Sequence, residues 1–74
     1  MTTDFYYAAD QNGQHNMFLS LPKRNYRDGL GCWSGDYSVN AAFFFGLLQD
    51  QGLRLPRIGW EDEPVRIRIK IKIK

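Results

Sequence analysis

Cysteine occurs once in the chain, as Cys32, so no disulfide can staple it internally. Histidine also occurs once, as His15, and no CxxC spacing is present, so no zinc site closes unless carboxylates complete it. No metal and no cofactor are expected. A run of about 18 apolar residues is missing, as is a basic-then-apolar leader, so neither a membrane span nor a signal segment is expected and a reducing, cytoplasmic setting follows. There is no Gly-rich phosphate loop before a helix. The acids of Glu61-Asp62-Glu63 are adjacent in a turn rather than facing one another. Low-complexity stretches rich in Pro, Ser or acids are missing too, which argues against disorder.

The sequence has 74 residues, enough for one small domain over 1–74 and too few for two. Its net charge of +2 hides a division. Residues 1–64 carry five Lys/Arg against eight acids, whereas the last ten residues, VRIRIKIKIK, carry five bases and no acid. A mildly acidic body ends in a basic strip.

Residues 4–10 and 15–21 flank Gln-Asn-Gly-Gln, in which Asn12-Gly13 suits the two-residue type I′ turn of a β-hairpin. That turn opposes Asp10 to His15, Ala8 to Met17, Tyr7 to Phe18 and Tyr6 to Leu19. Tyr6, Ala8, Met17, Leu19 and Leu21 then form the expected core face. Phe5, Tyr7, Asn16, Phe18 and Ser20 fall on the other, where the aromatics make an exposed strip.

Pro22 ends the second strand, and KRNYRDGLG reads as an exposed connection before a short third strand at Leu30 to Ser34. Ser38 as N-cap and Gly52 as C′ residue bracket a helix over 38–51. Ala41, Phe44, Phe45 and Leu48 share one face of it, and Val39, Phe43 and Leu47 share a second. A single sheet covers only the first. The second is expected to lie under residues 53–60, through Leu53, Leu55, Ile58 and Trp60, or against another molecule as in a homodimer. With the turn at 61–64 and a terminal strand, the order is β-β-β-α-β: an α+β domain with one helix on one face of a sheet.

In the terminal strand Val65, Ile67, Ile69, Ile71 and Ile73 alternate with Arg66, Arg68, Lys70, Lys72 and Lys74, the period of a strand with one dry and one wet face. The isoleucines belong to the core, which sets membrane action aside. The bases have three uses. They guard an edge against self-pairing, meet an acidic protein, or follow a nucleic-acid backbone, since same-face bases recur about every 6.6 Å, near twice the phosphate spacing. Lys23, Arg24, Tyr26 and Arg27 form a second candidate patch, because Tyr and Arg are enriched at interfaces. Cys32, His15 and Asp36 are the one set with nucleophile chemistry. His15 is expected to pair with Asp10 and Cys32 to be a small buried residue, so no enzyme activity is expected.

From residue 31 onward the chain resembles the HicB-type antitoxin domain: Gly31-Cys32, then Gly35-Asp36, then an Ala-containing helix, then GLLQDQGLRLP before a final strand. The resemblance implies a partial ribonuclease H fold with strand order 3-2-1-4, the last strand parallel to the first, and stoichiometric blocking of a small toxin nuclease. In size and lack of motifs the chain is also similar to phage and mobile-element inhibitors, including anti-CRISPR proteins. The expected function is that of a small non-enzymatic inhibitor meeting an acidic protein surface, on a host defence complex or a toxin. Its contacts are expected at Arg66, Arg68, Lys70, Lys72, Lys23, Arg24, Tyr26 and Arg27, and nucleic-acid binding through the same strip is the alternative.

Overall fold

The computed structural model describes residues 2–70. Strands β1 (Thr2–Ala9), β2 (His15–Phe18), β3 (Lys23–Arg27), β4 (Leu30–Ser34) and β5 (Val39–Asn40) precede a helix. That helix opens as a 3₁₀ turn, Ala41–Phe44, and continues as α1, Phe45–Asp50; strand β6 follows at Val65–Lys70. β5-β2-β1-β6 form one antiparallel sheet and β3-β4 a second. The α+β class holds.

The first hairpin departs from the expected register by one residue. Tyr7 faces Met17 and Tyr6 faces Phe18. Asp10 N–H donates to the Gln14 carbonyl at 2.7 Å and Gly13 N–H to the Asp10 carbonyl at 2.9 Å, leaving a three-residue loop. Gly13 takes φ +90°, so the turn is of the type I plus bulge kind rather than I′. A one-residue slip turns β2 over relative to β1, so Met17 joins Phe5 and Tyr7 while Phe18 joins Tyr6 and Ala8. Phe5, Tyr7 and Met17 therefore pack under the helix with Ala41, Leu48 and Ile69, with Phe44, Leu55, Ile58 and Ile67 at the rim. Ala8 and Phe18 pack on the opposite face with Trp33, flanked by Tyr6 and Trp60. No exposed aromatic strip exists on the hairpin, and Leu19 and Leu21 lie outside the core at 44% and 64% exposure.

The slip has a physical cause. Both faces of this hairpin are covered, so alternation does not say which face is core. The covering layer on the second face is the β3–β4 hairpin, of which the sequence presents Leu30 to Ser34 as a strand but Lys23–Arg27 as part of an exposed connection. Its turn is the two-residue I′ type, with Asp28 at φ 52° and Gly29 at φ 80°. It is fastened to the first hairpin by Gln11 N–H to the Gly31 carbonyl (3.0 Å), Gly31 N–H to Gln11 Oε1 (2.8 Å) and Trp33 N–H to Asp10 Oδ1 (2.9 Å). The Trp33 indole N–H also donates to the Ala9 carbonyl at 2.9 Å, so this buried ring satisfies its polar end.

The helix begins later than expected. Val39 pairs with Met17 in β5, and Asn40, not Ser38, caps the helix by accepting from Ala42 N–H at 2.9 Å. Its end matches the expected glycine stop: Leu53 N–H donates to the Leu48 carbonyl (2.9 Å) and Gly52 N–H to the Gln49 carbonyl (3.0 Å), with Gly52 at φ +69°. The expected cover for its second face is absent. Leu55 and Ile58 go to the core and Trp60 to the other side of the sheet, leaving Phe43 81% and Leu47 38% exposed, and Phe45, expected on the covered face with Ala41, Phe44 and Leu48, is itself 55% exposed. Val39, in a strand, does not share a face with Phe43 and Leu47.

β6 runs antiparallel to β1, with Thr2 facing Lys70 and Tyr7 facing Val65. The parallel terminal strand and four-stranded order implied by the antitoxin resemblance are therefore not those observed. No helix among the described residues is long and apolar enough to cross a membrane.

Candidate binding surface on the edge strand

Strand β6 lies at the end of the larger sheet, paired only to β1 among the described residues. Its odd-numbered positions turn to the helix side, where Ile69 is fully buried and Val65 and Ile67 half-buried. Its even positions, Arg66, Arg68 and Lys70, emerge exposed on the other face, opposite Tyr6, Asp4 and Thr2. The isoleucines hold the strand, and holding the strand spaces the bases. Lys72, with residues 71–74, lies outside the described residues.

One base is already paired. Arg68 Nε donates to Asp4 Oδ1 at 2.9 Å, both side chains being at the surface. That hydrogen bond, with lesser help from the Arg68 and Arg66 charges, holds the Asp4 carboxyl below its ordinary value of 3.8. A carboxyl depressed on folding stabilises the folded state above its unfolded pKa and loses that contribution as pH falls through the lowered value. At the surface the contribution is small. Among the described residues, neither Arg66 nor Lys70 has an acidic partner within ion-pair distance.

A second contact on this strand has no counterpart in sequence pattern. The Gln51 carboxamide, at the end of α1, donates from Nε2 to the Lys70 carbonyl at 2.6 Å and accepts at Oε1 from Lys70 N–H at 3.0 Å. Asp4 and Gln51 were both beyond reach of sequence reading, because each meets β6 across a long chain separation that only the strand order fixes.

The second candidate patch divides. Arg24 and Tyr26 share a face of β3 with Trp33 and Gly31 across the ladder, while Lys23 and Arg27 lie on the opposite face. The Arg24 guanidinium sits 5.0 Å from the Trp33 ring centre and 5.2 Å from that of Trp60, and its Nη2 donates to the Trp60 carbonyl at 3.1 Å. Tyr26 meets Trp60 edge-on at 5.9 Å. Arg24 is thus engaged by its own chain in cation–π contacts, and of the four residues Lys23 and Arg27 remain as outward charges.

This ladder depends on Gly31. A Cβ there would clash with the six-membered ring of Trp60, so Gly31→Ala is expected to displace that ring, loosen its contact with Arg24 and cost about 1–3 kcal/mol. A red shift of tryptophan emission together with a lower urea midpoint checks it. Unchanged emission would mean that Trp60 does not sit on the Gly31 backbone.

The catalytic set does not assemble in the contacts observed. His15 Nε2 lies 3.1 Å from the Ile58 carbonyl and its ring stacks on Tyr7, whose phenol burial pushes up in pKa. Asp10, the expected partner of His15, instead accepts from Trp33 N–H and, at 3.4 Å, from Asn16 Nδ2. Asp36 accepts from Ser20 Oγ at 3.4 Å, and Cys32 is half-buried on β4, not fully buried as expected. No cluster of three or more His, Cys, Asp or Glu side chains that could hold a metal occurs among the described residues. Comparison with family models, with curated proteins and with solved structures finds no match to this chain, so the geometry of β6 carries the functional reading.

Proposed function

We propose that the protein is a small non-enzymatic binding protein, an inhibitor by occupancy, that seats the basic face of β6 on an acidic surface of a partner protein. The observation that carries this reading is the exposed row Arg66, Arg68 and Lys70, held in line by a buried isoleucine and compensated among the described residues only by Asp4. Row and spacing come from a strand paired to β1, so the backbone that carries the charges is already ordered and the cost of binding falls on the side chains. Stoichiometric occlusion, as by a phage inhibitor of a host defence complex or an antitoxin on its toxin, is the mode of action such a surface serves. Lys23 and Arg27 are two further exposed bases on the smaller sheet.

Fluorescence anisotropy tests the reading, with a labelled acidic peptide and labelled single- and double-stranded DNA and RNA at low and moderate salt. Wild type is expected to bind the peptide in preference to the nucleic acids. Changing Arg66, Arg68, Lys70 and Lys72 together to Gln abolishes that binding, while Asp4→Asn, which frees Arg68, tightens it. Nucleic-acid binding that falls with a log–log salt slope of about −0.7 per phosphate on single strands, lost in the same variant and with no peptide bound, would replace the proposal by the nucleic-acid reading.

A further inference from the structure

Gln51 reveals which way the backbone of β6 points. Its carboxamide bonds both the N–H and the C=O of Lys70, so at this residue the peptide groups face away from β1. In an antiparallel ladder the direction alternates with each residue. Ile69, Ile67 and Val65 therefore bond to β1, and Arg68 and Arg66 offer their N–H and C=O groups outward along the edge. Among the described residues no backbone or side-chain group meets them there.

The carboxamide is also a single peptide group in effect, placed where a neighbouring strand would be. It occupies the first station of the edge, at Lys70, and leaves the next two open. Beside it runs a shallow groove of about 400 Å³ lined by Thr2, Gln51, Leu53, Arg68 and Lys70.

We infer that β6 takes its partner by strand addition: an extended acidic segment of the partner protein pairs with the outward backbone groups of Arg66 and Arg68, beginning where Gln51 ends. The inference rests on the proposed function and supplies its geometry. Side chains of an added strand alternate between the two faces of the sheet. On one face they stand beside Arg66, Arg68 and Lys70, which selects Asp or Glu. On the other they stand beside half-buried Val65 and Ile67, which selects Val, Ile or Leu. The fitting sequence is therefore an extended run that alternates acidic and aliphatic residues, recognised by main-chain bonds for affinity and by charge for choice. A second copy of β6 is the wrong occupant, since it sets arginines and lysines beside arginines and lysines.

The test uses a short labelled peptide alternating Glu and Val, with blocked ends, and the full chain assembled by chemical ligation with N-methyl groups on the Arg66 and Arg68 amides. N-methylation removes the outward donors and leaves every charge in place. The peptide is expected to bind wild type and to lose about tenfold or more in affinity to the methylated chain. In unmodified protein, saturation with peptide slows hydrogen exchange at the Arg66 and Arg68 amides and leaves that of Ile67 as it was. This second reading stands even where methylation disturbs folding. Binding that survives methylation, with exchange at Arg66 and Arg68 unchanged, but is lost in the four-fold Gln variant overturns strand addition and keeps the acidic-partner reading. Failure of folded wild type to bind the peptide at all overturns both, as does a concentration-dependent doubling of mass through β6 with no peptide bound.

Discussion

Phe18→Ala is expected to lower the free energy of unfolding by about 3–5 kcal/mol, while Leu19→Ala beside it costs under about 1 kcal/mol. Phe18 is fully buried between the larger sheet and the β3–β4 hairpin, and Leu19 is 44% exposed just beyond the end of β2. Truncating Phe18 removes the ring that joins Ala8 and Trp33 and leaves a void beside Gly35. For a chain of 74 residues the whole stability is on the order of 4–11 kcal/mol, so the variant loses between about a quarter and all of it. Urea unfolding followed by tryptophan fluorescence measures both. The pair also decides the hairpin register: a costly Leu19→Ala with a harmless Phe18→Ala would restore the two-residue Asn12-Gly13 turn.

The second large effect belongs to the basic strand itself. Ile69→Ala is expected to cost about 2–5 kcal/mol, because Ile69 is fully buried among Phe5, Tyr7, Met17, Ala41 and Leu48 and holds the edge of the sheet against the helix. Ile67, half-buried at the rim of that cluster, is expected to cost less. Changing Arg66 or Lys70 to Gln is expected to stay within about 0.5 kcal/mol, since exposed bases without partners contribute little to folding. Thermal or urea unfolding of these variants separates the dry row from the wet one. A stability loss from the Gln variants equal to that of Ile69→Ala would mean that the charges are structural, and the case for a binding face would fall with it.

Some elements were legible because a local rule settles them. Strict alternation in residues 65–70 requires a strand with isoleucines in and bases out, whatever it pairs with. Gly52 marks the helix end because the left-handed conformation there favours glycine, and the observed φ of +69° agrees. Leu30 to Ser34 forms a strand as read. Other elements misled for equally physical reasons. Asn-Gly and Asp-Gly both favour tight turns, yet the two-residue I′ turn falls at Asp28-Gly29 and the longer, bulged one at Asn12-Gly13. The Asp10 side chain, bonded to Trp33 N–H, favours that outcome from outside the hairpin.

The candidate site shows the same division. By itself the sequence determined the α+β class, the sorting of a basic end from an acidic body, and the two-faced nature of the last strand, all of which follow from composition and short-range period. Tertiary structure alone decided that both faces of the first hairpin are covered, that Arg24 lies against both Trp33 and Trp60 while Lys23 and Arg27 face out, and that Phe43 and Leu47 are left exposed. It also decided that β6 is an edge, antiparallel to β1, with Asp4 facing Arg68 and Gln51 bonded to Lys70. These last contacts join residues 64 and 19 positions apart. No period of 2 or 3.6 reports such pairs, because they depend on which strands become neighbours once the whole core has closed.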